Sequence, residues 1–255
     1  MTFDVTAEAY GRFMGRFSEP LAGQLADLAR VTPGPGQRVV DVGCGPGALT
    51  AELVRRLGAG GVSAVDPSEP FVAAAQELLP GVDVRRAAAE ALPYPDDTFD
   101  AALAQLVVHF MADPVAGLRE MARVTRQGGM VAACVWDFAG ERAPLTTFWR
   151  AAGQLDAAVV DESGLAGARA GHLTELAGAA GLVDVEPTEL TVRVSYPTFD
   201  DWWEPYTLGV GPAGDHVARL DDAGRAALRA ACAVLLPPAP IDVEATAWAV
   251  RASVA

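Results

Sequence analysis

The sequence predicts an α/β protein built on a doubly wound, mostly parallel sheet with helices on both faces. Three observations carry this. Between Arg38 and Trp136, short apolar runs alternate with segments of helical periodicity, the pattern of βαβ units whose strands are covered on both sides. The first run, Val39-Val40-Asp41-Val42, enters Gly43-Cys44-Gly45-Pro46-Gly47 and then a helical pattern, so a strand, a tight turn and a helix follow one another. After Trp136 the apolar runs lengthen and alternate, over Val183–Tyr196 and Glu244–Val254, as half-buried strands do.

Each element has its own signal. Residues 1–36 read as a helical lead-in: Leu21, Leu25, Leu28 and Ala29 recur at helical spacing and Pro33-Gly34-Pro35-Gly36 stops them. Arg38–Val42 is the first strand, and Leu49, Leu53, Val54 and Leu57 mark the helix behind it. Gly61–Val65 is a second strand ending at Asp66, followed by a helix over Phe71–Leu79. Val82–Arg86 and Phe99–Leu103 are the third and fourth strands. Ala116–Val124 is a helix closed by Gly128-Gly129, and Met130–Trp136 is the fifth strand. Pro144–Val160 and Leu173–Ala180 read as helices, and Phe199–Leu236 as an aromatic loop plus helix. We expect one domain over 1–255, with a nucleotide-type core at 37–136. Cap insertions at about 140–180 and 199–240 lie over one end of the sheet, with closing strands at 182–196 and 244–254.

Composition narrows the chemistry. All 19 basic residues are arginine; lysine and asparagine are absent, and Ile241 is the only isoleucine. A GC-rich coding bias depletes all three together. Whatever its cause, the absence of lysine excludes a Schiff-base lysine and the phosphate-binding lysine of P-loop and kinase sites. Without asparagine there is no N-glycosylation acceptor. Against 33 acidic residues the formal net charge is −14, which argues against a nucleic-acid partner and against an anionic membrane surface. Met1–Thr6 lacks a basic stretch leading into an apolar one, so no signal peptide is expected. Ala101–Ala112 is too short to span a bilayer. Cys44, Cys134 and Cys232 are odd in number and far apart, which fits a reduced, cytoplasmic setting and no metal site. No oligomerisation signal is readable.

The glycine turn is the central chemical signal. Glycines let the backbone turn tightly and approach a ligand, and the following helix start offers free N–H groups. Gly43, Gly45 and Ala48 alone satisfy a dinucleotide pattern. Asp41, two residues before the first glycine, is unwelcome beside a pyrophosphate but suits a cationic ligand. Asp66 closes the second strand, where a carboxylate can accept ribose hydroxyls. Then Ala89-Glu90-Ala91 leads into Leu92-Pro-Tyr-Pro-Asp-Asp-Thr-Phe-Asp100. With these four motifs in order (glycine loop, second-strand acid, the Leu92–Asp100 segment, and Gly128-Gly129 before the fifth strand) the chain resembles the class I S-adenosylmethionine-dependent methyltransferases. It is most similar to the broad group that includes the ubiquinone/menaquinone and biotin-pathway enzymes, over Tyr10 to Ala133. A nicotinamide oxidoreductase rests on the glycine turn alone and leaves Asp41 and the Leu92–Asp100 segment without a role.

The resemblance implies a Rossmann-like, seven-stranded sheet with the last strand antiparallel, plus helical caps. It implies S-adenosylmethionine as cofactor and S-adenosylhomocysteine as product, with no metal. Asp41 and the backbone of Gly43, Cys44, Gly45 and Gly47 would hold the methionine part. Asp66 would take the ribose, with Pro67 and Phe71 beside the adenine. Ala89 and Glu90 would offer polar groups to the adenine edge, and Gln105 and Leu106 would contact the methionyl group. Arg16 would pair with the cofactor carboxylate, and Tyr10 would close over it. Ala88 stands where such enzymes often carry an aspartate that meets the adenine amino group, a contact that backbone groups could replace here, and Gln127 where a proline is common.

Methyl transfer from a sulfonium needs positioning and a dry site, and a base only if the nucleophile arrives protonated. His109, just past the fourth strand, is the candidate base. Aromatic walls for the substrate are expected from Trp136 and Asp137 at the end of the fifth strand, and from Trp202, Trp203 and Tyr206 in the second insertion. Phe13 and Met14 of the lead-in would complete a lid. The expected function is methylation of oxygen, nitrogen or carbon on a small molecule, with secondary metabolism as a possible setting. The alternative keeps the cofactor and drops the reaction, leaving a non-methylating isomerase, a cyclase or a binding module.

Overall fold

The computed structural model describes residues 7–34 and 36–255; Met1–Thr6, read above for a leader, and Pro35 lie outside the described residues. Helix α1 (Ala7–Tyr10) passes through a π-helical turn, Gly11–Gly15, into α2 (Arg16–Leu28). The core then alternates: β1 (Val39–Val42), α3 (Ala48–Leu57), β2 (Val62–Asp66), α4 (Glu69–Leu78), β3 (Asp83–Arg86), β4 (Phe99–Gln105), α5 (Pro114–Val124) and β5 (Thr125–Trp136). The second half adds α6 (Thr146–Leu155), α7 (His172–Ala179), β6 (Val183–Tyr196), α8 (Phe199–Trp203), α9 (Gly211–Arg219), α10 (Asp222–Leu235) and β7 (Ile241–Ser253).

The sheet order is β3-β2-β1-β4-β5-β7-β6. β1 to β5 pair in parallel, and β7 runs antiparallel to both of its neighbours. This is the doubly wound, seven-stranded α/β sheet expected from the sequence. The strand order reverses between β1 and β4, the place where such sheets open a crevice at their carboxyl ends.

Alternating side chains on the strands feed opposite layers. On one face Val39, Leu103 and Cys134 pack with Leu21 and Leu25 of α2, Leu53 of α3 and Phe148 of α6. On the other, Val40, Ala102 and Val131 pack with Leu118 and Met121 of α5 and with Leu173 and Ala177 of α7. Helix α7 falls within the stretch read above as a cap insertion (about 140–180), yet it contacts α5, β6 and β7 beneath the sheet. Only α6 of that stretch joins α10 on the cap side. The apolar pair Leu173 and Ala177, four apart, decides this, because it needs a sheet face to cover it.

Three boundaries differ from the sequence reading by three residues or more. β5 begins at Thr125, which pairs with Phe99, so Gly128-Gly129 lie within the strand and not at a helix end. β7 begins at Ile241, which pairs with Tyr196. Helix α6 stops at Leu155 instead of running to Val160. The aromatic stretch after β6 opens with a capping box: Thr198 accepts from the Asp201 N–H and Asp201 accepts from the Thr198 N–H, which satisfies two end donors of α8.

Candidate functional site

A cavity of about 250 Å³ opens at the carboxyl ends of β1, β2 and β4. Asp41 sits on β1, the centre of the sheet, and is fully buried. Thr50 on α3 donates to its Oδ2 at 2.6 Å; Oδ1 has no hydrogen-bond partner. Burial pushes the Asp41 pKa up to about 7, the Thr50 bond opposes this, and the charge of nearby Asp66 adds to it. A central-strand carboxyl with one orphaned oxygen is costly, so it asks for a cation or donor from outside the chain.

Asp66 ends β2. Its Oδ2 accepts the Gly45 N–H at 2.9 Å and its Oδ1 accepts the Ser68 N–H at 2.8 Å. Burial raises its pKa and the two backbone bonds oppose the rise. This carboxyl therefore fixes the glycine loop as well as facing the cavity. Within that loop Gly43 and Gly45 have positive φ, 74° and 53°, and differ in what surrounds them. A Cβ on Gly43 would collide with the Val107 side chain, whereas one on Gly45 meets nothing within 4 Å. Gly45 thus presents bare backbone to an open cradle.

The remaining walls come from four places. Tyr10 of α1 stands edge-on to Phe71 of α4, ring centroids 5.4 Å apart, beside Pro67. Ala88, Ala89 and Glu90 follow β3, and the Glu90 carboxylate accepts the Asp113 N–H at 3.2 Å. Gln105 ends β4 and donates to the Ser18 carbonyl at 3.0 Å, while its Oε1 has no partner. Leu106 follows with φ 60°, a conformation uncommon outside glycine, which turns the chain across the cavity mouth.

A second, smaller chamber of about 40 Å³ adjoins this one and shares Tyr10, Leu106 and Phe110 with it. Phe13 and Met14 of the lead-in, Trp136 at the end of β5 and Phe138 make it apolar. Three titratable groups interrupt that lining, Tyr10, His109 and Glu162. His109 is 8% exposed, lies 3.9 Å from the Phe110 ring centroid, and its Nδ1 has no partner. Burial alone pushes its pKa down to about 3, so it is a neutral imidazole. Glu162 accepts the Trp149 Nε1–H at 2.9 Å.

The structure thus brings Tyr10, Asp41, Gly43, Cys44, Gly45, Asp66, Pro67, Phe71, Ala88, Ala89, Glu90, Gln105 and Leu106 around one cavity, and Phe13, Met14, His109 and Trp136 around the next. Others stand elsewhere. Arg16 is on the outer side of α2, its guanidinium 5.3 Å from the Tyr196 ring centroid, and lines neither chamber. Gly47 caps α3 and backs onto Leu79. Asp137 is tied into its own turn, accepting from Gly140 N–H at 2.9 Å and Arg142 Nε at 2.6 Å. Trp202, Trp203 and Tyr206 form an aromatic core with Phe148, which stacks on Tyr206 at 4.7 Å; they hold the cap together behind Phe13, which meets Tyr206 edge-on. The sequence reading missed Ser18, Val107 and Met111 of the first cavity and Glu162 of the second. Ser18 and Val107 carry no motif, and Asp161-Glu162-Ser163 reads as a solvated loop.

Comparison with known proteins agrees with the architecture. Residues 40–133 match the family model of the methyltransferase domain. A ubiquinone biosynthesis O-methyltransferase of Parvibaculum lavamentivorans is 42% identical over 110 residues, 41% of this chain and 42% of that protein. A demethylmenaquinone methyltransferase of Mycobacterium sp. is 38% identical over 117 residues, 45% of this chain and 48% of that protein. The matched segment spans less than half the length of either relative. The crystal structure of the YcgJ protein from Bacillus subtilis superposes with a TM-score of 0.59 at 19% identity, covering 92% of this chain and 97% of that one; it shares the fold.

Proposed function

Residues 40–133 match the family model of the methyltransferase domain, and from that similarity we propose that this chain transfers a methyl group from S-adenosylmethionine to a small, largely apolar molecule. The orphaned, fully buried Asp41 Oδ1 carries the reading. It fits the cationic end of an amino-acid-bearing cofactor, and the open side of Gly45 leaves room for that ligand against bare backbone. Asp66 would take the ribose hydroxyls on the lone pairs that Gly45 and Ser68 leave free. Tyr10, Pro67 and Phe71 supply flat apolar surface for a base, and Ala88, Ala89 and Glu90 line its edge. Gln105 Oε1, without a partner, is a further acceptor beside Asp41 in the same cavity.

S-adenosylmethionine supplies an electrophilic methyl group on a sulfonium with a neutral leaving group. The chain needs only to orient the acceptor and keep water out. Tyr10, Leu106 and Phe110 do this at the junction of the two chambers, and the lead-in residues Phe13 and Met14 close the second. The apolar walls of the second chamber favour an apolar acceptor. The surplus of carboxylates, 33 against 19 arginines, opposes a nucleic-acid acceptor. Among the described residues no helix is long and apolar enough to cross a membrane, and no group of three or more His, Cys, Asp or Glu could hold a metal ion.

Titration calorimetry with S-adenosylmethionine and S-adenosylhomocysteine tests the cofactor, and no heat at millimolar ligand would refute it. Release of S-adenosylhomocysteine in step with acceptor loss tests the reaction. Turnover of an acceptor without that release would instead support the non-methylating alternative.

A further inference from the structure

Resting on the methyl-transfer reading, we propose that Glu162 is a catalytic residue: it takes the proton of an acceptor bearing O–H, N–H or S–H in the small chamber and passes it to solvent through a separate crevice. The small chamber is apolar apart from Tyr10, His109 and Glu162, and burial pushes the Tyr10 phenol up to about 12, too high to act as a base near neutral pH. Methylating a protonated nucleophile frees one proton per turnover, and that proton needs a polar way out. Behind the chamber lies a second depression of about 80 Å³, lined by Glu141, Thr146, Arg150, Asp161 and Ser163. Two residues line both spaces, Phe138 and Glu162. Of these only Glu162 can carry a proton. Its carboxyl therefore forms part of the wall between a dry chamber and a polar crevice.

The local chemistry suits the task. Glu162 is 4% exposed, and the Trp149 indole N–H holds its Oε2 at 2.9 Å, so the carboxyl is fixed in orientation and Oε1 is the oxygen that Trp149 does not engage. The charged and titratable groups around it are Asp161 next in sequence, Glu141 and Arg150 across the crevice, His109 and Tyr10 in the chamber, Tyr206, whose phenol feels the Glu162 charge, and His216, whose ring centroid lies 5.9 Å from that of Trp149. Arg150 is paired with Glu141 at 2.5 Å, so it does not draw the proton equilibrium toward a permanent carboxylate. Burial, with the charge of Asp161 adding to it, pushes the Glu162 pKa up to about 7, against the Trp149 bond. A base works best with a pKa near the working pH. His109, pushed down to about 3 by burial, sits in the chamber but holds a proton poorly.

The balance is simple. The X–H bond of the acceptor breaks and its proton goes to the Glu162 carboxylate. The freed pair on X forms the X–C bond to the methyl carbon while the C–S bond breaks, its pair returning to sulfur. Glu162 then releases the proton to water in the crevice.

Infrared difference spectroscopy of the full chain, with and without S-adenosylhomocysteine, reads this directly. The expected result is a protonated carboxyl band that titrates near neutral pH, shifts promptly in D₂O, and is absent from Glu162→Gln; Asp41→Asn identifies the other buried carboxyl band. Glu162→Gln keeps an acceptor for Trp149, so its affinity for S-adenosylhomocysteine stays close to wild type, and so does its melting temperature at about pH 5, where the folded wild-type carboxyl is still protonated. On whichever phenol, thiol or amine releases S-adenosylhomocysteine with the wild-type chain, Glu162→Gln lowers kcat about 100-fold, keeps KM within about threefold, and removes the rising pH limb near neutrality. A Glu162 that only braces Trp149 shows no titration between pH 5 and pH 9 and an unchanged kcat, and either result overturns the proposal. Absence of S-adenosylhomocysteine binding by the wild-type chain would instead overturn the methyl-transfer reading itself.

Discussion

Replacing Asp41 by asparagine separates the cost of the site from its use. In the folded chain the Asp41 pKa stands at about 7 against an ordinary 3.8. Below the ordinary value both folded and unfolded chains hold the proton. As pH rises toward 7 only the unfolded chain ionises, so stability falls, and above about 7 the loss is complete. At about 1.4 kcal/mol per pKa unit the whole loss is about 4 kcal/mol, of which about 3 kcal/mol falls between pH 5 and pH 8. Asp41→Asn has no proton to lose. The Asn side chain keeps an oxygen for Thr50 but places an amide where Oδ1 found no partner, a cost that does not change with pH. The readout is therefore the difference between the two proteins at two pH values, in which the fixed cost and the titration of Glu162 cancel. Relative to wild type, Asp41→Asn should gain about 6–12 °C in melting temperature between pH 5 and pH 8. With S-adenosylhomocysteine the order reverses. Wild-type affinity should rise about tenfold from pH 6 to pH 8, as the ligand displaces the Asp41 proton. Asp41→Asn should lose that part of the rise and bind about 10- to 100-fold more weakly at pH 8. Melting curves and calorimetry at the two pH values decide it. Parallel pH dependence in the two proteins would refute Asp41 as the titrating group and as the cation site.

Gly45→Ala places a methyl group where the chain itself has nothing within 4 Å; at φ 53° it should cost about 1 kcal/mol of stability yet weaken S-adenosylhomocysteine at least about tenfold by calorimetry, whereas Gly43→Ala, driven into Val107, should damage folding itself by urea titration. Arg16→Ala should leave that affinity within about twofold, because its guanidinium lies over Tyr196, and a large loss would restore the carboxylate role. Trp202→Ala should cost about 3–5 kcal/mol in urea denaturation, with cofactor affinity retained by the folded fraction, since Trp202 lines neither chamber. His109→Phe should be neutral or stabilising by about 1 kcal/mol, because it removes an orphaned buried nitrogen.

The first cavity was legible because its residues are local in sequence. Asp41, Gly43 and Gly45 lie within five residues of one another, and Asp66 and Ala88–Glu90 each follow the next strand in line. A parallel strand carries its carboxyl-end residues to the same edge as its neighbours, so spacing along the chain becomes position in space. The second chamber depends on how separate segments meet. Trp202, Trp203 and Tyr206 looked like substrate walls, but aromatic residues bury as readily against each other as against a ligand, and Phe148, 50 residues and more away in sequence, fills the place a substrate would have taken. Glu162 was invisible because Asp161-Glu162-Ser163 carries the composition of a solvated loop. In the structure its carboxyl is buried and held by the Trp149 indole of α6. Arg16 has the right charge near the right helix, but Tyr196 of the far edge strand takes its guanidinium.

The two carboxyls near neutrality divide the electrostatic work. Asp41 and Glu162 each have a pKa pushed up to about 7 by burial, but they lie in different chambers and face different partners. Methyl transfer moves one positive charge: it leaves sulfur with the methyl group and reappears as the proton lost by the acceptor. An apolar chamber penalises a charge stranded there. On the proposal above, Glu162 neutralises that proton as it forms and releases it on the polar side of the wall. Asp41 answers a different charge, that of the bound ligand, and its ionisation should follow ligand occupancy instead of turnover. The pH dependence of binding and that of kcat should therefore separate by mutation: Asp41→Asn alters the first with the rising kcat limb retained, and Glu162→Gln alters the second with binding retained. If either substitution moved both profiles together, the two chambers would be one electrostatic unit and the division of labour would fail.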